Sequence, residues 1–194
     1  MNLPNKITTF RMVLVVALLA VLLLPFEYSC VPGSSVLTWQ YVVAFIIFII
    51  ASVSDFFDGY IARKYNMVTT FGKFMDPIAD KLLVNSTFII LAIQGPYHIP
   101  AIVTVIIIAR DIIVDALRMI SVEKGIVIAA SKLGKLKTVT QMVALSFVLL
   151  ADWPFSYLKT NGWVGISLCY LAAIVSLISG IDYIIKGRKV FKDK

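Results

Sequence analysis

The chain has 194 residues, of which 60% are hydrophobic and only 15% charged, with a mean hydropathy of +0.92 and a formal net charge of +7. Soluble domains carry about 25% charged residues, so this composition excludes an ordinary water-soluble globule and points to an all-α integral membrane protein. One histidine and two cysteines, Cys30 and Cys169, offer neither a disulfide framework nor a thiolate metal spacing, and no basic stripe stands apart from the apolar segments, so nucleic acid is not an expected partner.

Six apolar segments follow in chain order, and each is expected to cross the membrane as a helix, because only helices and closed barrels satisfy their own backbone in lipid. The first, residues 7–24, has the basic start and apolar centre of a signal peptide. No small-residue cleavage site follows it, and Tyr28-Ser29-Cys30 is a poor lipoprotein box, so it is expected to be retained. Asn5, Thr8 and Arg11 recur every three residues and share one face of its interfacial start. The second segment, residues 39–53, opens on Trp39 and runs on into Asp55 and Asp58.

The third and fifth, residues 81–94 and 139–151, fall short of the roughly 20 residues a crossing needs; polar residues at their ends are expected to supply the missing turns. Asp76-Pro77 reads as the start of the third helix, Asp at the cap and Pro at the first helical position. Ahead of it a short polar connection, residues 64–73, holds Gly72 in its turn. The fourth segment, residues 99–120, carries Arg110, Asp111, Asp115 and Arg118 inside an apolar helix, with the two arginines about 80° apart around the axis. Ser131, Lys132, Gly134, Lys135, Lys137, Thr138 and Gln141 open the fifth helix. The sixth, residues 163–185, holds Asp182 beside Lys186 as a structural pair. No repeat, low-complexity tract or long linker divides the chain, so residues 1–194 read as a single domain.

Alternating six crossings from a cytoplasmic N-terminus places Lys159 alone on the outer side, out of 18 Lys and Arg residues. That asymmetry sets the orientation, both termini inside the cell, and attracts anionic lipid headgroups. Trp39, Trp153 and Trp163 then fall at the outer interface as an aromatic belt, with His98 near an outer turn.

Four aspartates, Asp55, Asp58, Asp76 and Asp80, lie on the cytoplasmic side within 26 residues. The spacings of three and four put each pair on one helix face. Four anions in a small site either protonate or bind cations. Oxygen donors without His or Cys favour Mg²⁺ first, then Mn²⁺ or Ca²⁺. Two such ions about 4 Å apart are a recurrent device for displacement at phosphorus. Gly59 and Gly72 allow a bulky ligand to approach the backbone, Ala62 keeps the face low, and Arg63 suits a phosphate.

The full pattern, Asp55-x-x-Asp58-Gly59-x-x-Ala62-Arg63, then Gly72, Asp76 and Asp80 at fixed intervals, resembles the signature of the CDP-alcohol phosphotransferases at every specified position. The resemblance implies that family's fold of six transmembrane helices, a homodimer, and a site open to the cytoplasmic interface. It implies Asp55, Asp58 and Asp76 as principal metal ligands, and Asp80 as the general base that also touches a metal. Gly59, Ala62, Arg63 and Gly72 would line a CDP pocket, with Asn5 and Thr8 added from the N-terminal stretch. The implied reaction is attack of an alcohol on the β-phosphorus of CDP-diacylglycerol with release of CMP, supported by Mg²⁺ or Mn²⁺, with two ions expected.

Pro4, Asn5, Thr8 and Arg11, and the stretch opening the fifth helix, are similar to the members that use glycerol 3-phosphate. Arg110, Arg118, Lys135 and Lys137 suit a dianionic phosphomonoester acceptor, which inositol, serine or choline would not require. Asp115 is the departure, a carboxylate where a neutral residue is expected, and reads as an internal salt-bridge partner. Alternatives within the family take phosphatidylglycerol or inositol phosphate as acceptor. A membrane prenyltransferase would need a second acidic motif, and a transporter would place its carboxylates near the midplane in repeated halves.

Overall fold

The structure is a computed structural model that describes residues 3–24, 37–64, 70–124, 131–153, 155 and 161–188; the side chains of residues 3–7, 56–64, 70–74 and 76 lie outside that description. Six helices carry the described fold: α1 (Leu3–Leu23), α2 (Trp39–Lys64), α3 (Thr70–Gln94), α4 (Ala101–Glu123), α5 (Lys132–Leu149) and α6 (Trp163–Lys186). Each of the six apolar segments falls on one of them, the first, fourth and fifth running one or two residues past a helix end. Two stretches, Pro77–Gln94 and Trp163–Lys186, are long and apolar enough to cross a membrane by hydropathy, while Thr8–Leu23 and Trp39–Asp55 are shorter apolar runs.

Two expectations about α3 need correction. The helix begins at Thr70, so Pro77 lies inside it and Gly72 belongs to its first turn instead of the preceding connection. Proline removes one intrahelical hydrogen bond and crowds the preceding turn, which is why the local pattern read as a boundary. Here the Pro77 ring is exposed, and α3 packs against α1 and continues through the proline.

Side-chain pairings fix the direction of each helix. Arg11, in the first half of α1, pairs with Asp55, in the second half of α2, and Lys81, midway along α3, pairs with Asp115, in the second half of α4. At the other end, Gln40 Nε2 donates to the carbonyls of Val21 (3.0 Å) and Leu22 (2.7 Å). Gln94 Nε2 donates to the Leu22 carbonyl at 2.6 Å, and the Tyr41 hydroxyl donates to the Gln94 carbonyl at 2.7 Å. These bonds satisfy carbonyls that the ends of α1 and α3 leave open. The helices therefore run alternately up and down, with the start of α1 and the end of α6 at one end of the bundle.

The core is built from helical stripes: Val15, Leu18 and Leu22 on α1, Ala44, Phe48 and Ala51 on α2, and Val84, Phe88 and Leu91 on α3. The spacing of three and four keeps each set on one face. Outward faces stay apolar as well, with Val13, Val16, Ile46, Ile50, Ile112, Ile174 and Ile181 all exposed. A helix apolar on every side belongs in lipid or in a large core. Trp39, Trp153 and Trp163 are exposed and cluster by sequence at the end away from Arg11 and Asp55.

Packing divides the bundle into α1–α2–α3 and α4–α5–α6, with α3 and α5 joining the halves. In the turn after α5, Asp152 is fully buried in the left-handed conformation, φ 60°. Its carboxylate accepts from Val164 N (3.1 Å) and Gly165 N (2.7 Å), capping α6. Nearby Gly162 has φ 88°, and a Cβ there would lie 2.3 Å from Tyr97 Cγ. Gly162→Ala is expected to lower stability by about 1–2 kcal/mol from the left-handed backbone alone, read as a fall in the detergent-solubilised unfolding midpoint; an unchanged midpoint would refute the packing described.

Candidate active site

The buried face of α6 is a stripe of small residues, Gly165, Cys169, Ala172, Ala173, Ser176, Ser179 and Gly180, ending in Tyr183. Small side chains let neighbouring helices approach closely, and α4 and α5 pack there. At Gly180 the approach is specific: a Cβ would lie 2.9 Å from Cγ of Arg110. The missing side chain leaves the groove through which Arg110 reaches Ser179, to whose hydroxyl its Nη2 donates at 2.7 Å.

Where α4, α5 and α6 converge with the middle of α3, they line an open-sided cavity of about 230 Å³. Its wall carries Asp80, Lys81, Arg110, Asp111, Asp115, Arg118, Ser131, Gly134, Lys135, Lys137, Thr138 and Tyr183. Lys137 Nζ donates to both oxygens of Asp111, each at 2.8 Å, and Arg110 donates to the same carboxylate at 3.0 Å. Asp111 and Lys137 are buried, and a carboxylate there needs such partners to remain charged. Asp115 is taken up by Lys81. Arg118 Nη2 donates to the Tyr183 hydroxyl at 2.6 Å.

Five cations and three carboxylates thus share one wall. Among the described residues Arg118 and Lys135 have no carboxylate partner, so the cavity holds an excess of two positive charges. α5 contributes through its start: Ser131 caps the helix, its hydroxyl accepting from Gly134 N at 3.0 Å.

The α1–α2–α3 half brings acidic groups to the same end. Asp55 on α2, 39% exposed, is paired with the buried Arg11 of α1, and Thr8 is buried one turn before Arg11. Among the described residues no three acidic, His or Cys side chains gather closely enough to hold a metal; the side chains of Asp58 and Asp76 lie outside that description.

A match to the family of CDP-alcohol phosphatidyltransferases covers residues 1–178. The chain belongs to that family. Among its curated relatives, the CDP-diacylglycerol–glycerol-3-phosphate 3-phosphatidyltransferase of Bacillus subtilis strain 168 is 40% identical over 192 residues, covering 98% of this chain and 97% of the relative. The enzyme of the same name from Salmonella choleraesuis strain SC-B67 is 38% identical over 197 residues, covering 96% and 95%. That from Escherichia coli K12 is 36% identical over 203 residues, covering 100% and 98%.

In this CDP-alcohol phosphatidyltransferase the structure gathers Asp80, Arg110, Arg118, Lys135 and Lys137 around one cavity. Asp58, Gly59, Ala62 and Arg63 fall on α2, Gly72 and Asp76 on α3, and Asn5 on α1; for these the description stops at the backbone. Thr8 does not line the cavity. Asp115 is a salt-bridge partner, for Lys81, and Asp182 accepts from Lys186 at 2.7 Å. Sequence reasoning missed Tyr183, Ser179 and the role of Asp111. Periodicity held the signal for the first two, since both close the small-residue face of α6; Asp111 needed the fold, because its partner Lys137 is 26 residues away.

Proposed function

We propose that the chain is a membrane-embedded enzyme that transfers the phosphatidyl group of CDP-diacylglycerol to glycerol 3-phosphate, giving phosphatidylglycerophosphate and CMP in phospholipid synthesis. The observation that carries the reading is a single cavity wall that sets Asp80 beside a basic pocket with two excess positive charges. A phosphomonoester near neutral pH carries about two negative charges, which that excess complements. The full-length likeness to enzymes named for this reaction supports the same assignment.

In the reaction the acceptor hydroxyl oxygen forms a bond to the β-phosphorus of CDP-diacylglycerol. The bond from that phosphorus to the bridging pyrophosphate oxygen breaks, and CMP leaves with the electron pair. Asp80 takes the hydroxyl proton. Arg118 and Lys135 hold the acceptor phosphate as charged donors, while Lys137 and Arg110, anchored on Asp111, complete the positive wall. Holding the acceptor rigidly beside the donor lowers the entropic part of the barrier.

The donor set fits a hard divalent cation: the four aspartates offer only oxygen, and Asp55 keeps 39% of its side chain exposed despite its pairing with Arg11. Asp55, Asp58, Asp76 and Asp80 would hold Mg²⁺ or Mn²⁺, two ions in all, which would neutralise the pyrophosphate oxygens when bound. Arg63, Gly59, Ala62, Gly72, Asn5 and Thr8 would form the CDP subsite. The basic end of the bundle faces the cytoplasm, with the tryptophans in the outer interface, the six helices crossing the bilayer as one domain and the chain working as a homodimer.

The test is an acceptor panel. Purified enzyme with CDP-diacylglycerol is offered glycerol 3-phosphate, phosphatidylglycerol or inositol phosphate, and CMP is measured. Release is expected with glycerol 3-phosphate, abolished by chelator and restored by Mg²⁺ or Mn²⁺. Release that ignores glycerol 3-phosphate sinks the assignment.

A further inference from the structure

Tyr183 is 1% exposed, and it is one of the residues that line the cavity. Two N–H groups point at that oxygen: Arg118 Nη2 at 2.6 Å and the backbone N of Ser131 at 3.2 Å. A phenol oxygen has two lone pairs and one hydrogen. Both donors engage the lone pairs. The Ser131 side chain is a further hydrogen-bond partner of the same hydroxyl.

The ring works as well as the oxygen. The Arg118 guanidinium carbon stands 4.9 Å from the ring centroid and that of Arg110 stands 5.6 Å away, both within cation–π reach. One side chain on α6 therefore orients two arginines from α4 and the first residue of the α5 turn. Gly134 allows this, because a Cβ there would lie 3.2 Å from the Tyr183 oxygen.

We propose that Tyr183 is a positioning residue for the acceptor phosphate: its hydroxyl and ring hold Arg118, with Arg110 beside it, in the heading that receives a phosphate oxygen. This rests on the acceptor being a phosphomonoester, and it makes Tyr183 a determinant of acceptor affinity and selectivity.

The decisive variant is Tyr183→Phe, which keeps the ring and its contact with both guanidiniums and removes only the oxygen. A hydrogen bond to a charged group is worth about tenfold to a hundredfold in affinity. The KM for glycerol 3-phosphate is expected to rise by that factor, with the KM for CDP-diacylglycerol unchanged and kcat within about threefold. Inorganic phosphate, tested as a competitor of glycerol 3-phosphate, should lose inhibitory strength by a similar factor. Gly134→Ala, which crowds the same oxygen while adding helix propensity, should move the same constant in the same direction.

A purely structural role would instead lower the folded yield and kcat of Tyr183→Phe and leave both KM values and phosphate inhibition at wild-type levels; that result overturns the proposal. If Tyr183→Phe does not fold, an unchanged glycerol 3-phosphate KM in Gly134→Ala overturns it too. Wild-type enzyme that releases no CMP with glycerol 3-phosphate removes the reading of the reaction and this inference together, whereas a wild-type response with unaltered variants removes the inference alone.

Discussion

Asp80→Asn is expected to abolish turnover, cutting kcat by about a thousandfold or more, the range general-base catalysis supplies, while CDP-diacylglycerol still binds. The amide keeps the size and shape of the carboxylate and can still accept a hydrogen bond, but it cannot take a proton from the acceptor hydroxyl. Asp80 is half-buried on α3 at the cavity wall, among the charges of Lys137, Arg11, Asp111 and Lys81. It therefore stands between the basic pocket of the α4–α5–α6 half and the aspartates of α2 and α3, where a base must reach a hydroxyl held by its phosphate. Single-turnover release of CMP measures the step, and displacement of a labelled CDP-lipid measures binding. Retention of the wild-type rate would take Asp80 out of the role.

Asp111→Ala is expected to cause the largest loss of stability, about 3–5 kcal/mol, because removing one partner of a buried ion pair strands the other. The stranded charges are Lys137, bound through two 2.8 Å hydrogen bonds, and Arg110 at 3.0 Å. Both are at most about 10% exposed, so water does not replace the carboxylate. The loss should appear as a lower unfolding midpoint in detergent. Ligand linkage gives the effect a second signature: glycerol 3-phosphate, which brings anionic oxygens to the same cations, should raise the midpoint of the variant more than that of the wild type. Equal midpoints without ligand would show that the pair contributes nothing to folding.

Much of the fold was legible because membrane helices write their length and polarity into the chain. All six apolar segments correspond to helices, and the basic residues that set the expected orientation, Arg11, Lys81, Arg110, Arg118 and Lys137 among them, do gather at one end of the bundle. Where the reading failed, at Pro77, a local rule about prolines met packing that the rule cannot see: an exposed ring on a helix held by α1. The cations of the cavity wall were legible as types and positions. What they do to one another was not, because Lys137 meets Asp111 across 26 residues and Arg118 meets Tyr183 across 65. Asp115 was legible as an anomaly, and only the antiparallel return of α3 against α4 supplied its partner, Lys81.

The hook of Asp152 around the first turn of α6 has reach. Eighteen positions separate Gly165, which it grips, from Tyr183, a distance of about 27 Å at the helical rise. A slip of one residue at the anchored end would turn the distant phenol by about 100° and swing it off its arginines. The height and heading of that ring are thus surveyed from the opposite side of the bundle, and chemistry at one surface inherits its alignment from a carboxylate sealed beneath the other.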